Sequence, residues 1–242
     1  MEKINSQIVS NKKTARIAGL VYLIVVLSGI FHLVYVPSRL IVRGNASATF
    51  NNIVSSETLF RLSIMGGLIC YTFFLLLPLV LYKLLKPVNK TYSLLMVILV
   101  VVSIPISFIN MLNKFAILSL ISKADYLKVF EMDKLQAQVL LYLNFYNNGN
   151  QIASIFWGLW LFPFGYLVFK SGFLPKILGI LLMVGCFSYL IDFIGDFLFP
   201  AYGQMGISTF VTLPGSIGEI GICLWLLIMG AKDSKQNFTR EQ

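Results

Sequence analysis

The chain has 242 residues, of which 57% are hydrophobic and 12% are charged. An ordinary soluble domain is about half apolar and about a quarter charged. With a mean hydropathy of +0.82, this composition excludes a soluble globular protein and indicates a multi-span membrane protein. The formal charge of +9 does not indicate a nucleic-acid partner, because the basic residues are scattered between apolar segments and form no long stripe.

Six apolar segments are long enough to cross the roughly 30 Å of bilayer hydrocarbon, which requires about 20 helical residues each. They are residues 15–36, 58–82, 92–117, 148–169, 176–199 and 208–231. Helices are expected because backbone groups inside a bilayer must be hydrogen-bonded within their own segment. The sequence therefore predicts an all-α, polytopic membrane helix bundle of six transmembrane helices, with residues 1–242 forming a single domain.

The distribution of basic residues predicts the orientation, because cytoplasmic loops are enriched in lysine and arginine. Twelve of the 19 basic residues fall in the two tails and in the loops after the second and fourth spans, with only three acidic residues beside them. These twelve are Lys3, Lys12, Lys13, Arg16, Lys83, Lys86, Lys90, Lys170, Lys176, Lys232, Lys235 and Arg240. The remaining seven basic and seven acidic residues cancel. Both termini are therefore expected in the cytoplasm.

Two connections contain further helical signals. In residues 38–57, Ser56 and Glu57 are typical of an N-cap and a first-turn acid that open the second span. Residues 125–143, between spans three and four, have apolar positions at helical spacing beside charges. They form either an amphipathic helix on the outer face or a helix that continues into the fourth span.

The sequence contains none of the common enzyme signatures that we checked. It has no HExxH, GxSxG, phosphate-binding loop, dinucleotide-binding glycine pattern or CxxC. Its one histidine, His32, is expected to be a packed residue. The three cysteines, Cys70, Cys186 and Cys223, all lie inside apolar segments, so neither a disulfide, a metal site nor a cofactor is predicted.

Glu219 is the most unusual residue of the sequence. It lies near the middle of the apolar segment LPGSIGEIGICLWLLIMG, residues 213–230. A charged group at the bilayer centre costs about 2.5–3.5 kcal/mol, so this carboxylate should face the bundle interior, a partner or water. We expect it to pair with Arg61.

Other polar residues are expected in the outer half of the membrane or at its edge, counting about 1.5 Å per helical residue. They are Arg61, Asn110, Asn147, Asn148, Asn150, Gln151, Asp192 and Asp196. Together with Glu219 they predict an outward-facing polar cleft. The candidate ligand-binding residues of this cleft are His32, Arg61, Asn110, Asp192 and Glu219.

Aromatic and small residues of the spans have ordinary structural explanations. Aromatic residues near span ends are typical interface anchors, and this explanation covers Tyr22, Tyr35, Tyr82, Tyr92, Tyr166, Trp157, Trp160 and Trp225. Gly215, Gly218 and Gly221, spaced three apart, predict close packing of the last span against a neighbouring helix.

Several stretches together resemble the bacterial membrane family catalogued as domain of unknown function (DUF) 4386. They are residues 15–31 (ARIAGLVYLIVVLSGIF), 38–62, 84–90 (LLKPVNK), 124–127, 165–182 and 218–227 (GEIGICLWLL). The resemblance covers nearly the whole chain and includes Arg61, the turn from Ser171 to Pro175, and Glu219. It implies a multi-pass protein of the bacterial cytoplasmic membrane and implies no activity.

Three hypotheses of function remain open at this stage. In the first, the protein binds or passes a small solute, ion or lipid through the outward-facing cleft. In the second, it is an intramembrane enzyme acting on a lipid, with Glu219 or the pair Asp192 and Asp196 as acid and base, since residues i and i+4 share a helix face. In the third, it is a passive structural or accessory membrane protein. The lipid bilayer is the expected partner, and the oligomeric state is open.

Overall fold

A computed structural model describes residues 2–199, 202 and 206–231, with side chains from residue 11 onward. These residues form ten α-helices and no strand. The helices are α1 (Glu2–Ile30), α2 (Val36–Leu40), α3 (Ala46–Ser55), α4 (Glu57–Leu85), α5 (Lys90–Asn110), α6 (Leu112–Ile121), α7 (Met132–Leu159), α8 (Leu161–Lys170), α9 (Lys176–Leu198) and α10 (Ile207–Ile228). The basic residues Lys232, Lys235 and Arg240 lie outside the described residues.

Six helical segments are long and apolar enough to cross a membrane. Their bounds are Asn11–Leu40, Glu57–Leu85, Lys90–Ile121, Met132–Lys170, Lys176–Leu198 and Ile207–Ile228. The predicted number of spans and the all-α class are confirmed, and the first four spans are longer than predicted. The side of the membrane on which each terminus lies stays a prediction.

A π-helical turn, Phe31–Tyr35, joins α1 to α2. The backbone N–H of Val36 donates to the carbonyl of Phe31, five residues earlier. Pro37 follows at once, and a proline has no N–H to donate and would press its ring against the carbonyl four residues before it. The wider π turn accommodates this proline. His32 lies in this turn and is fully buried.

The connection between the first two spans contains a helix that the sequence analysis did not predict. The side chain of Asn45 accepts a hydrogen bond from the backbone N–H of Ala48 at 2.9 Å, which caps the start of α3. The second span, α4, begins at Glu57 as predicted, with this acid in its first turn. Its negative charge is favourable there because the N-terminal end of a helix carries a partial positive charge.

The connection between spans three and four contains a short 3-10 helix, Asp125–Leu127, before α7 begins at Met132. Helix α7 then continues without interruption to Leu159. This is the second of the two alternatives for residues 125–143, a long helix that runs into the fourth span. The side of the membrane on which this segment lies stays a prediction.

The described residues divide into two compact units. The first unit takes residues Met1–Leu23, Leu77–Leu99 and Trp157–Gln242, and the second takes Ile24–Leu76 and Val100–Phe156. In the first unit, α9 contacts both α8 and α10. In the second unit, polar side chains are buried beside apolar ones. The single-domain prediction is not tested by this division.

Candidate functional site

Glu219 is held by two tyrosines of the first unit. The hydroxyl of Tyr22 in α1 donates to Oε2 at 3.1 Å, and the hydroxyl of Tyr189 in α9 donates to Oε1 at 3.2 Å. Tyr22 is buried, whereas Glu219 and Tyr189 are half-buried. Each carboxyl oxygen therefore has one phenol donor, and these two bonds offset part of the cost of placing a carboxyl group inside a span.

Glycines allow the three helices that meet at Glu219 to approach closely. A Cβ on Gly185 of α9 would lie only 2.7 Å from the Cα of Gly215 in α10. A Cβ on Gly19 of α1 would overlap the backbone of Leu227. The predicted close packing of the glycine stripe is therefore found, with Gly218 and Gly221 against Leu181 and Leu178 of α9. Small residues permit this backbone approach because they carry little or no side chain.

The structure gives Arg61 and Glu219 partners other than each other. Arg61 binds Glu57, one helical turn earlier, with Nη2 and Nε each 2.7 Å from Oε1. Both side chains are largely exposed. A carboxylate at spacing i, i+4 on the same helix lies within reach of an arginine, so Arg61 has a local partner. Its pairing with Glu219, which belongs to the other unit, stays a prediction.

The two aspartates of α9 have different surroundings. Asp192 is half-buried and accepts a hydrogen bond from the hydroxyl of Tyr202 at 3.1 Å, whereas Asp196 is exposed. Among the described residues, no group of three or more His, Cys, Asp or Glu side chains is placed to hold a metal ion.

A lysine buried in the second unit is the main finding that the sequence analysis missed. Lys114 of α6 is 3% exposed, and its Nζ donates to the hydroxyl of Ser63 in α4 at 2.9 Å. The same Nζ lies 4.4 Å from the centroid of the Tyr146 ring in α7, within the range of a cation–π interaction. Both partners are neutral. An ammonium inside a span is as unusual as a carboxylate there.

His32 lies beside the same tyrosine. Its Nδ1 is 3.4 Å from the hydroxyl of Tyr146, and its ring meets that of Tyr71 edge-on, with centroids 5.4 Å apart. Its Nε2 is buried and has no hydrogen-bond partner within the described part of the chain. Buried polar atoms normally have a partner, so this nitrogen is available to a ligand or to water.

Asn110 closes α5 and binds α7. Its Nδ2 donates to the backbone carbonyl of Tyr146 at 2.8 Å and to Oδ1 of Asn150 at 3.0 Å, and its own Oδ1 accepts from Asn113 at 3.0 Å. Gly149 leaves the space that the Asn110 amide occupies. The side chain of Asn110 therefore fixes α5 to the asparagine-rich turn of α7.

We call His32, Ser63, Asn110, Lys114 and Tyr146 the Lys114 cluster. All five are buried, and all lie in membrane-spanning helices of the second unit. A cavity of about 70 Å³ adjoins the cluster, and Ser63, Lys114 and Tyr146 contribute to its wall. Of the predicted ligand-binding residues, the structure brings His32 and Asn110 into this cluster, because both contact Tyr146.

The remaining predicted residues are placed elsewhere. Glu219 and Asp192 belong to the first unit, and Arg61 is exposed beside Glu57. The sequence already contained a signal for Lys114, since it lies within the apolar segment 92–117. This signal was weaker than that of Glu219, because Lys114 lies near the predicted end of its segment, where a lysine can extend its head to the membrane surface. Ser63, Tyr22, Tyr146 and Tyr189 carried no comparable signal, because such residues are ordinary in spans.

Six spanning helices with a buried polar cluster define a multi-pass membrane protein. The model of the family described as domain of unknown function (DUF4386) matches residues 17–230, so the chain belongs to that family. An uncharacterised protein of Archaeoglobus fulgidus is 38% identical over 85 residues, which are 35% of this chain and 48% of the relative. The match thus spans about half the length of that relative. No solved structure matches the chain.

Proposed function

We propose that this protein binds a small solute inside its membrane-spanning region, at the Lys114 cluster. The observation that carries the proposal is the ammonium of Lys114, buried beside a cavity with only a serine hydroxyl and an aromatic ring as partners. Lys114 lies in the second half of the span Lys90–Ile121, and its side chain is buried; burying an ammonium without an opposite charge is costly. One neutral hydrogen bond contributes about 0.5–1.5 kcal/mol, so the protein alone offsets only part of this cost.

An ammonium without an opposite charge is accommodated either by loss of its proton or by an interacting solute, and the adjoining cavity offers room for a solute. The unpaired Nε2 of His32 adds a second polar group without a protein partner in the same cluster. Intramembrane ionisable residues commonly mark binding sites and pathways for solutes or ions. Binding is the function that this geometry supports best. Passage of the solute across the membrane, and access from the outer side, extend the proposal and depend on the predicted orientation.

The enzyme hypothesis receives less support. A carboxylate that acts as acid or base needs an oxygen directed at the substrate. Both oxygens of Glu219 accept hydrogen bonds from phenols, and Asp192 accepts one from Tyr202. The accessory hypothesis predicts no ligand at all, so a binding experiment separates it from the proposal.

The test is a solute screen on the purified chain in lipid nanodiscs. We expect at least one anionic, cationic or neutral small solute to raise the Tm, because a ligand that binds only the folded state stabilises it. The increase should diminish in Tyr146→Phe, which removes one buried hydroxyl of the cluster. The matched control is Tyr126→Phe. Tyr126 is 65% exposed, so this variant should show the same increase in Tm as the wild type. If no solute changes the Tm and native mass spectrometry finds no retained molecule, the proposal is overturned.

A further inference from the structure

Lys114 has no carboxylate partner in its unit. The four acidic residues of the second unit all have other partners. Glu57 binds Arg61 at 2.7 Å, Asp125 binds Lys128 at 2.7 Å and Glu131 binds Lys134 at 3.0 Å. Asp133 is exposed and accepts from the backbone N–H of Lys134 at 2.8 Å. Within this unit, therefore, no carboxylate pairs with the Lys114 ammonium.

Two hydrogen-bond donors meet at the head of Lys114. An ammonium has three N–H groups. One N–H of Lys114 donates to Ser63, and the ring of Tyr146 lies against the ammonium. Since the Ser63 oxygen accepts from Lys114, its own O–H is left to donate, and the described residues offer it no acceptor. An ammonium N–H and a hydroxyl that lie side by side match the two oxygens of a carboxylate.

The cavity beside these donors is small and mostly apolar. Its volume of about 70 Å³ corresponds to roughly two water molecules at about 30 Å³ each. The wall includes Val36, Leu40, Phe60 and Leu143, which carry no polar side-chain atoms, beside the amides of Asn147 and Asn150. A ligand that fits this space has one charged head and a short hydrocarbon group, because apolar walls favour apolar atoms.

Resting on the proposed function, we infer that the solute is a short-chain monocarboxylate, of the size of acetate or propionate, whose carboxylate pairs with Lys114 and Ser63. The ion pair would neutralise the buried ammonium, and the alkyl group would fill the apolar side of the cavity. Pairing matters here because a buried charge is tolerated far better with an opposite charge than alone.

The ligand comparison uses acetate, propionate, acetamide, methylammonium, chloride and phosphate with the purified wild-type chain in nanodiscs, read by isothermal titration calorimetry. Acetate and propionate should bind, and acetamide, which has the shape of acetate without its charge, should bind at least about tenfold more weakly, since hydrogen bonds to charged groups contribute about 1.5–3 kcal/mol.

The outcomes separate this inference from the proposed function. Equal binding of acetamide and acetate, or binding of methylammonium, chloride or phosphate without acetate, overturns the carboxylate inference and leaves solute binding standing. Binding of none of the six, together with a negative solute screen, overturns both.

The variant comparison assigns the binding to Lys114. Lys114→Met keeps the length and apolar stem of the side chain and removes the charge, so propionate binding should fall by about tenfold or more. Lys128→Met, an exposed lysine paired with Asp125, is the matched control and should bind as the wild type does. Ser63→Ala, which keeps Lys114, gives a second readout if Lys114→Met does not fold, and it should weaken propionate binding. Unchanged binding in Ser63→Ala or Lys114→Met overturns the inference.

Discussion

The hydroxyl of Tyr22 donates a hydrogen bond to Oε2 of Glu219 at 3.1 Å, across 197 positions of sequence. This bond joins the first spanning helix to the last. Tyr189 donates to the other carboxyl oxygen, so one acidic group links three helices of the first unit. Glu219 therefore has a structural role that accounts for a carboxyl group in the middle of an apolar span.

Removing one of these phenols should destabilise the protein only when Glu219 is present. Tyr22→Phe is expected to cost about 1–3 kcal/mol, the cost of leaving a buried acceptor without its donor. In a Glu219→Leu background the same change should cost much less. A double-mutant cycle on denaturant or thermal unfolding in detergent measures the difference. Equal costs in both backgrounds would mean that the bond contributes nothing.

Arg61→Met should have a small effect on stability, because Arg61 has an exposed local partner. Arg61 is bound to Glu57 at largely exposed positions, and exposed ion pairs contribute about 0–1 kcal/mol. The Tm in detergent should change little, and Arg61→Met combined with Glu219→Gln should be additive. A non-additive energy above about 1 kcal/mol would restore the idea that these two residues act together.

Gly149→Ala should destabilise the protein although alanine is the better helix former. Helix propensity alone favours alanine over glycine by about 1 kcal/mol, but a Cβ at this position would overlap the side-chain amide of Asn110. Overpacking of this kind costs about 1–3 kcal/mol. Asn148→Ala, at the exposed neighbouring position, is the control. Adding Asn110→Ala should recover part of the loss, and a stabilised Gly149→Ala protein would contradict the observed packing.

Two glycines of α1 should respond differently to the same substitution. A Cβ on Gly19 would meet the backbone of Leu227, which cannot move aside as a side chain can, whereas a Cβ on Gly29 would meet only Sγ of Cys70 at 3.6 Å, an ordinary contact. Gly19→Ala should therefore lower the Tm clearly, and Gly29→Ala should leave it unchanged or raise it. The two Tm values in one detergent decide the point, and equal shifts would contradict the close contact at Gly19.

The predicted orientation is tested by labelling with a membrane-impermeant thiol reagent. Single cysteines at positions 43 and 125 should react in intact cells, and one at position 88 should react only after permeabilisation, because the basic loop is expected inside. The three natural cysteines are buried and should give a low background. Reaction at position 88 from outside would reverse the topology.

Local features of the sequence were sufficient to predict the spans and several helix ends. Glu57 begins α4 as expected, and the glycine stripe of α10 packs against α9. Both depend on neighbouring residues in the chain: a first-turn acid interacts with its own helix end, and small residues at helical spacing form one smooth face. The asparagine cap of α3 follows the same rule, and its signal, Asn45, was present but was not used.

The partners of the buried polar groups were not predictable in the same way. Hydropathy and a rise of about 1.5 Å per residue place Glu219 and Lys114 within their spans, and the cost of burial requires each to have a partner. Neither quantity specifies which helices are neighbours or which way a side chain points around its helix. Tyr22 and Tyr189 reach Glu219 because glycine contacts bring their helices together, and Ser63 and Tyr146 reach Lys114 through packing within the second unit.

The sequence by itself determined the membrane class, the six spans and the need for polar partners, since these depend on local hydropathy and backbone hydrogen bonding. Only the tertiary structure decided the partners, because they are set by contacts between residues far apart in the chain.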